Sequence, residues 1–267
     1  MGGVPAHNKP RCRGRQEPPG ETAGRQREGA RGVKVQALHP WQVTTHEAIA
    51  IQKHLRARVI THNSVDDIRY IAGADIATSK DSPKAYAGIV VLSYPAMEVV
   101  EARGLEDEVR FPYVPGLLAF REGPVLIKVF EQLQTEPDVL VFDGQGLAHP
   151  RGMGIATHIG LLLDKPSIGC AKSLLFGRHQ EPDQDKGAWT DLRDPQGNLI
   201  GAVVRSKPKT SPIFISIGHR LDLPTAIRLS LECARGYRIP EPTRLAHNFV
   251  TQLSRTGGHK GDQMGLL

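Results

Sequence analysis

The sequence has little of several features that mark particular classes of protein. Only 5% of its 267 residues are aromatic, and its three cysteines (Cys12, Cys170 and Cys233) have no metal-type spacing. Such cysteines suit a reducing compartment, so we expect a cytoplasmic protein. No run approaches the roughly 18 uncharged apolar residues of a membrane span, and the N-terminus lacks the apolar stretch of a secretory signal. We therefore expect no membrane association.

The positive charge of the chain is concentrated at one end. The net charge is +6, and residues 1–34 hold eight lysines and arginines against three acids. This segment has almost no large apolar side chain with which to build a core. We predict that residues 1–40 are a disordered basic extension, which either holds nucleic acid loosely by charge or is simply a solvated terminus. We predict a disordered tail at 257–267 and a single catalytic domain at 41–256.

The apolar pattern of residues 41–256 predicts an α/β domain with a mixed sheet flanked by helices. Three extended runs between residues 70 and 109 predict an antiparallel meander. The apolar run Asp138–Phe142 predicts a central strand that is covered on both faces. Residues 177–196 are polar and predict a loop. Helices are predicted at 44–59, 117–134, 152–163, 224–235 and 242–253.

Two aspartates follow apolar strands. Asp75 ends the run that begins at Tyr70, and Asp143 directly follows the central strand. A carboxylate at such a position is costly to bury unless it is paired or holds a metal, and paired carboxylates are typical ligands of Mg²⁺. Capping of a turn is the alternative for each aspartate taken alone. The pair predicts a metal site for chemistry on phosphate.

Three further side chains could complete such a site. Glu122 and His247 lie on predicted helices. Glu122 could ligate the metal or position a water, and His247 could act as a base or as a metal ligand. A solvated surface position is the alternative for each. Lys172 follows a predicted strand and could bind a phosphate as a point charge.

A stiff segment precedes the second predicted helix. Pro112 and Pro115 flank Tyr113, so an exposed tyrosine here could enter a base stack as a wedge. The alternative is a tyrosine packed beneath a turn. Nearby glycines would allow the backbone to approach a ligand closely, although they match neither the phosphate-loop nor the dinucleotide spacing.

These segments together resemble the endonuclease V family, which has a ribonuclease H-like fold. The resemblance covers about residues 45–255. Its most specific part is Phe-Pro-Tyr-Val-Pro-Gly-Leu-Leu-Ala-Phe-Arg-Glu-Gly at 111–123. The other matching segments, in family order, are 72–75, 143–146, 149–151, 169–173, 218–220 and 235–247.

The resemblance implies an activity. The family cuts DNA at the second phosphodiester bond 3′ to a deaminated adenine, leaving 3′-hydroxyl and 5′-phosphate ends. It requires Mg²⁺, for which Mn²⁺ can substitute. Asp75 and Asp143 match its metal ligands, and Glu122, Lys172 and His247 match its other catalytic positions.

The resemblance also implies the substrate-binding residues. Tyr113 matches the wedge, held between Pro112 and Pro115. Gly116, Leu118 and Gly144 match the base pocket, and His149 matches a position near the lesion. The implied partner is DNA containing deoxyinosine. Separately from the resemblance, we expect a monomer by default, because the sequence shows no coiled-coil pattern or apolar stripe that would indicate an oligomer.

Two alternatives stay open on sequence grounds. Members of the family differ in their preference for DNA or RNA, so inosine in RNA is a second candidate substrate. A non-catalytic binder of deaminated nucleic acid would need a broken metal site, whereas Asp75, Glu122 and Asp143 are all present.

Overall fold

The computed structural model describes residues 1–3, 33–78 and 82–257. The predictions of disorder at residues 4–32 and 258–267 lie outside this part of the chain. The described residues form eight strands and five helices. In chain order these are α1 (Thr45–Arg56), β1 (Tyr70–Thr78), β2 (Lys84–Ser93), β3 (Val99–Glu108), α2 (Leu118–Phe130), β4 (Val139–Phe142), α3 (Ile155–Leu163), β5 (Ser167–Ala171), β6 (Trp189–Arg193), β7 (Leu199–Val204), β8 (Ile213–His219), α4 (Leu223–Glu232) and α5 (Glu241–Arg255).

The strands form one mixed sheet in the order β3-β2-β1-β4-β5-β8-β7-β6. The predicted meander is confirmed, because β1, β2 and β3 pair antiparallel. The centre of the sheet is parallel, since β4 pairs with β1 on one side and with β5 on the other. On the other side of β5 all pairing is antiparallel: β5 pairs with β8, β8 with β7, and β7 with the edge strand β6. The fold is therefore the predicted α/β class with a ribonuclease H-like mixed sheet.

Alternating side chains of the central strands pack into two cores. Leu140 and Phe142 of β4 pack in the same core as residues of α2 and α3. Val139 and Val141, on the opposite face of the strand, pack with residues of α4 and α5. Successive side chains of a strand point to opposite faces, so a strand that is buried on both sides is apolar at every position. The prediction of a central strand is confirmed.

The prediction of a loop at residues 177–196 is wrong in part. Trp189–Arg193 forms β6, the strand at one edge of the sheet, and pairs antiparallel with β7. The strand is short, and only Leu192 of its five residues is buried. Its apolar pattern is therefore too weak to predict a strand, and the pairing with β7 decides its conformation.

The packed part of the chain begins before residue 41. Residues 33–40, which we placed in the extension, lie against the helices. Val33 is buried, the backbone N–H of Gln36 donates to the carbonyl of Leu162 at 2.7 Å, and the rings of His39 and His158 are joined by an Nε2–Nε2 hydrogen bond of 2.7 Å. The domain thus includes these residues.

Candidate metal and nucleic-acid site

The parallel pairing of β1 and β4 brings the two aspartates together. Ala74 is in register with Phe142, so Asp75 and Asp143 come next at the same edge of the sheet. Helix α5 crosses β1 so closely that a Cβ at Gly73 would lie 1.9 Å from the carbonyl oxygen of Pro242. This contact brings His247 beside Asp75, so that Nδ1 of His247 lies 2.9 Å from Oδ2 of Asp75. Potential ligand atoms of Asp75, Asp143 and His247 all lie within 4.8 Å of one another.

Negative charge accumulates around this cluster. Glu122, on α2, is partly buried, and burial together with the charges of Asp75 and Asp143 raises its pKa to about 8. Burial and the neighbouring Asp143 also raise the pKa of Asp75, although the hydrogen bond from His247 opposes that shift. Three convergent carboxyl groups repel one another, so the site favours a cation.

Lys172 supplies one cation at this edge. It follows β5, the parallel neighbour of β4, and its ammonium forms an ion pair with the Asp143 carboxylate. Arg238 supports the same segment, because its Nη2 donates to the carbonyls of Lys172 at 2.7 Å and Pro212 at 2.8 Å. Sequence reasoning did not assign Arg238 a role, although the residue lies in the family-matching segment 235–247.

The stiff segment lies directly before α2. Tyr113 is 72% exposed, so it is not packed beneath a turn. Gly116 then adopts a φ of +78°, a conformation that favours glycine, and α2 begins at Leu118. The exposed tyrosine thus lies just before the helix that carries Glu122, which is one turn beyond its first residue, Leu118.

A cavity of about 390 Å³ adjoins the carboxylates. Its wall includes most of the residues predicted to bind substrate, together with Asp143 of the acidic cluster and its ion-pair partner Lys172. These residues are Tyr113, Pro115, Gly116, Leu118, Gly144, His149, Asp143 and Lys172. Pro112 instead lines a second cavity, beside Phe111 and Arg121. Sequence reasoning missed Ile155, Leu174 and Leu175, which also line the first cavity.

Two helices point their N-termini at this cavity. Leu118 begins α2 and Ile155 begins α3, and both residues line the wall. Neither helix has a side-chain hydrogen bond at its N-cap. The first N–H groups of a helix lack intrahelical acceptors and carry partial positive charge. Among the first N–H groups, that of Ala156 in α3 already donates to the Gln145 carbonyl at 3.1 Å and that of Phe120 in α2 to the Leu117 carbonyl at 3.0 Å. The N–H groups of Leu118 and Ile155, the first residue of each helix, are the candidate donors to a ligand that carries oxygen acceptors.

His149 lies in the wall with both ring nitrogens engaged by the protein. Its Nε2 donates to the carbonyl of Gly116 at 3.0 Å, while its Nδ1 accepts from the backbone N–H of Arg151 at 3.1 Å. Burial and the Arg151 charge lower its pKa to about 4. His149 is therefore neutral at pH 7, with the proton on Nε2, and its hydrogen bond to the Gly116 carbonyl stabilises the turn at Gly116.

The prediction that Asp75 ends its strand is wrong, because β1 continues to Thr78 in pairing with β2. The mixed sheet, with Asp75 where the parallel pairing of β1 with β4 ends and Asp143 directly after β4, defines a protein of the ribonuclease H-like fold. The model of the endonuclease V family matches residues 53–248. The chain is 50% identical over 207 residues to the endonuclease V of Roseiflexus sp. strain RS-1, covering 78% of this chain and 92% of that protein. The chain belongs to the endonuclease V family of nucleases.

Solved structures agree with this assignment. Endonuclease V of Bacillus subtilis superimposes with a TM-score of 0.80 at 32% identity, covering 84% of this chain and 98% of that one. Endonuclease V of Ciona intestinalis, in complex with a 24mer DNA containing an inosine followed by a ribo-adenosine, superimposes with a TM-score of 0.69 at 27% identity. That match covers 79% of this chain and 98% of the other. In the described part of our chain, no helix is long and apolar enough to cross a bilayer.

Proposed function

We propose that this protein is a DNA repair endonuclease that recognises deoxyinosine and hydrolyses the second phosphodiester bond on its 3′ side. The products carry a 3′-hydroxyl and a 5′-phosphate. The observation that carries the proposal is one continuous surface, because Asp143 of the acidic cluster and its ion-pair partner Lys172 both line the cavity. A base held in the cavity would leave its phosphates near the carboxylates.

The cavity suits hypoxanthine better than adenine. Hypoxanthine has a carbonyl where adenine has an amino group, and a wall of N–H donors accepts the carbonyl but leaves the amino group facing other donors. The helix N-termini at Leu118 and Ile155 provide such donors. The inosine-containing DNA bound to the Ciona intestinalis relative supports this choice.

Mg²⁺ fits the acidic cluster, and Mn²⁺ could replace it. Two carboxylates converge on a small volume, which is the oxygen donor set that Mg²⁺ prefers, and the imidazole of His247 is close enough to suit Mn²⁺ as well. We assign the metal to Asp75 and Asp143. When bound, the ion would neutralise charge on the phosphoryl group and the leaving oxygen.

The remaining groups act on the phosphate and on water. Lys172 would place positive charge at the phosphate backbone beside Asp143. Asp75 accepts a hydrogen bond from His247 Nδ1, so in the neutral imidazole the other ring nitrogen is an acceptor, and the ring is half-exposed. We therefore assign His247 to orient and deprotonate the attacking water, and Glu122 to support the acidic cluster from α2. Tyr113 would part the strands beside the lesion.

RNA containing inosine is a second candidate substrate. The DNA bound by the Ciona intestinalis relative carries a ribonucleotide immediately after the inosine, so a 2′-hydroxyl beside the lesion is compatible with that relative's site. Two oligonucleotides that differ only in the 2′-hydroxyl would separate the two preferences.

We further propose a monomer acting in the cytoplasm. One chain supplies every residue of the acidic cluster and of the cavity wall, so a partner copy is not needed for the reaction. Light scattering in solution tests the first part of this proposal, and cell fractionation tests the second.

The decisive experiment is cleavage of a labelled duplex with one deoxyinosine, in Mg²⁺ and in chelator. Wild type should give one Mg²⁺-dependent product, cut at the second bond 3′ to the lesion. Asp143→Asn should reduce the rate by about 10³-fold or more, since it removes half of the carboxylate pair. Asp191→Asn, which changes a surface carboxylate paired with Arg193, is the control and should cut normally. Cleavage that persists in chelator would reject the metal, and binding without cleavage would favour a non-catalytic binder.

A further inference from the structure

A buried glutamine behind the cavity joins two segments of its wall. Gln52 lies on α1 and is 1% exposed. Its Nε2 donates to the carbonyl oxygen of Gly116 at 3.0 Å and to that of Met153 at 3.1 Å. Gly116 and Met153 both line the cavity, and they precede α2 and α3 respectively. One amide group thus bridges the two chain segments that lead into the helix N-termini.

The orientation of this amide is fixed by its partners. Its oxygen accepts from Arg151 Nε at 2.5 Å, while both hydrogen bonds of its nitrogen go to carbonyls. Reversing the amide would set its oxygen against two carbonyl acceptors. Arg151 also donates to the Gly116 carbonyl, through Nη2 at 2.7 Å, and His149 donates there as well. The Gly116 carbonyl therefore receives three donors.

Helix α1 is a rigid support for Gln52. A capping box formed by Thr44 and Glu47 closes its first turn. Leu55 packs against Met153 beneath the α3 side of the cavity, and Ala48 packs with Leu117 on the α2 side. The family model begins at residue 53, so Gln52 lies just outside the segment that it matches.

We propose that Gln52 is a positioning residue that sets base selection by fixing the spacing between the two helix N-termini. The inference rests on the proposed function. Donors distinguish a carbonyl from an amino group only when they are held within about 0.5 Å of the required geometry. Gln52 provides that restraint without touching the base, because its side chain is occupied by Gly116, Met153 and Arg151.

The test compares Gln52→Met with Lys53→Met in single-turnover cleavage of a deoxyinosine oligonucleotide. Methionine has the length of glutamine but lacks its donors, and Lys53 is an exposed neighbour on the same helix. Gln52→Met should raise the half-saturating enzyme concentration about tenfold, because it loses two neutral hydrogen bonds. Its rate at saturating enzyme should stay within about twofold of the wild-type rate. An otherwise identical oligonucleotide with adenine should become a better competitor. Lys53→Met should match wild type in both measurements, and a Gln52→Met variant that also matched it would overturn the proposal.

Gln52→Glu separates the two ends of the amide. Glutamate keeps the contact with Arg151 as an ion pair but loses both donated hydrogen bonds. This variant should be impaired at least as much as Gln52→Met. If Gln52→Glu kept the wild-type half-saturating concentration and base preference, the contact with Arg151 would be sufficient. The proposal of positioning through Gly116 and Met153 would then be wrong.

Amide exchange distinguishes failure of this inference from failure of the proposed function. The N–H of Leu117 donates to Val114 at 2.9 Å, and that of Gly154 donates to Gly146 at 3.0 Å. Both amides should exchange faster in Gln52→Met than in Lys53→Met. If wild type did not cut deoxyinosine but this difference appeared, the substrate would be wrong and the positioning role would stand. Equal exchange in the two variants would overturn the positioning role, whatever the substrate.

Discussion

Asp75, Asp143 and Glu122 carry the same functional group in different surroundings. Asp143 is paired with Lys172, and Asp75 accepts a hydrogen bond from His247. Glu122 lies on α2, where burial first and the charges of Asp75 and Asp143 next raise its pKa, while Arg121 opposes the shift. These differences suit the residues to separate roles, because an unpaired carboxyl group that is partly buried holds its proton more strongly.

Glu122→Gln should change how stability depends on pH. The pKa of Glu122 is about 8 in the folded protein against an ordinary 4.5, so between these values the folded state binds more protons than the unfolded state. Wild type therefore loses stability as pH rises through this window. Relative to wild type, the free energy of unfolding of the variant should increase by about 1–3 kcal/mol between pH 5 and pH 8. Solvent keeps this increase below the full value of the pKa shift, because the group is partly exposed. Urea unfolding in chelator measures this gain, and parallel pH curves for the two proteins would contradict it.

Tyr113→Ala should weaken cleavage without weakening the fold. The ring is 72% exposed, so the free energy of unfolding should change by less than about 0.5 kcal/mol. A lost stacking contact is worth about 1–3 kcal/mol, which lowers the rate on a deoxyinosine duplex by roughly ten- to a hundredfold. A single-stranded substrate should suffer less, since no strands need parting. Trp189→Ala, at an exposed aromatic on the edge strand β6, is the control; an equal loss there would argue against a wedge.

At the scale of elements, the site depends on how closely α5 approaches β1. Glycine at residue 73 removes the Cβ that would otherwise meet the backbone of Pro242. That contact sets the position of His247 relative to Asp75, which belong to different elements 172 residues apart. Packing of a helix on a strand is therefore part of the geometry of the candidate site.

Gly73→Ala should separate α5 from β1. Overpacking of this kind costs about 1–3 kcal/mol or more, and the displaced helix should carry His247 away from Asp75. Cleavage should then fall by more than the loss of folded protein explains. Leu253→Ala is the comparison, because it removes a buried side chain from the same helix about two turns beyond His247. Urea unfolding should show similar destabilisation for the two variants, whereas the cleavage assay should show a large loss of activity only for Gly73→Ala. Equal activity of the two variants would contradict the prediction.

At the scale of the whole molecule, the proposed metal site would couple metal binding to folding. The three groups that could hold an ion come from β1, from the end of β4 and from α5. They converge only when the sheet and α5 are assembled. An ion that binds the folded state alone adds to the stability of the entire domain.

Mg²⁺ or Mn²⁺ should raise the melting temperature of wild type. At a hundredfold excess over the dissociation constant the gain is about 2.7 kcal/mol, or roughly 5–10 °C for a domain of this size. Asp143→Asn should lose most of this shift, whereas Asp191→Asn should keep it. Thermal unfolding with each ion and with chelator measures the effect. An equal shift in all three proteins would indicate nonspecific binding.

The sequence by itself determined the α/β class, the meander, the buried central strand and the position of Asp143 directly after that strand, but not that β1 continues past Asp75 to Thr78. These follow from local patterns, since apolar periodicity reports which faces are covered and polar residues mark where strands end. The resemblance added residue roles that local patterns left open. Edge strand β6 was missed because only one of its five residues is buried and its conformation depends on β7.

Only the tertiary structure decided which groups meet. The pairing of His247 with Asp75, the support of Lys172 by Arg238 and the bridge from Gln52 to Gly116 join residues that are 64 to 172 positions apart. No sequence period connects such residues. His149 illustrates the difference: its motif placed it near the base, but only the fold reveals that both ring nitrogens are taken by backbone groups. Hydrogen bonds between distant segments form after the sheet and helices have packed, so local sequence carries no signal for them.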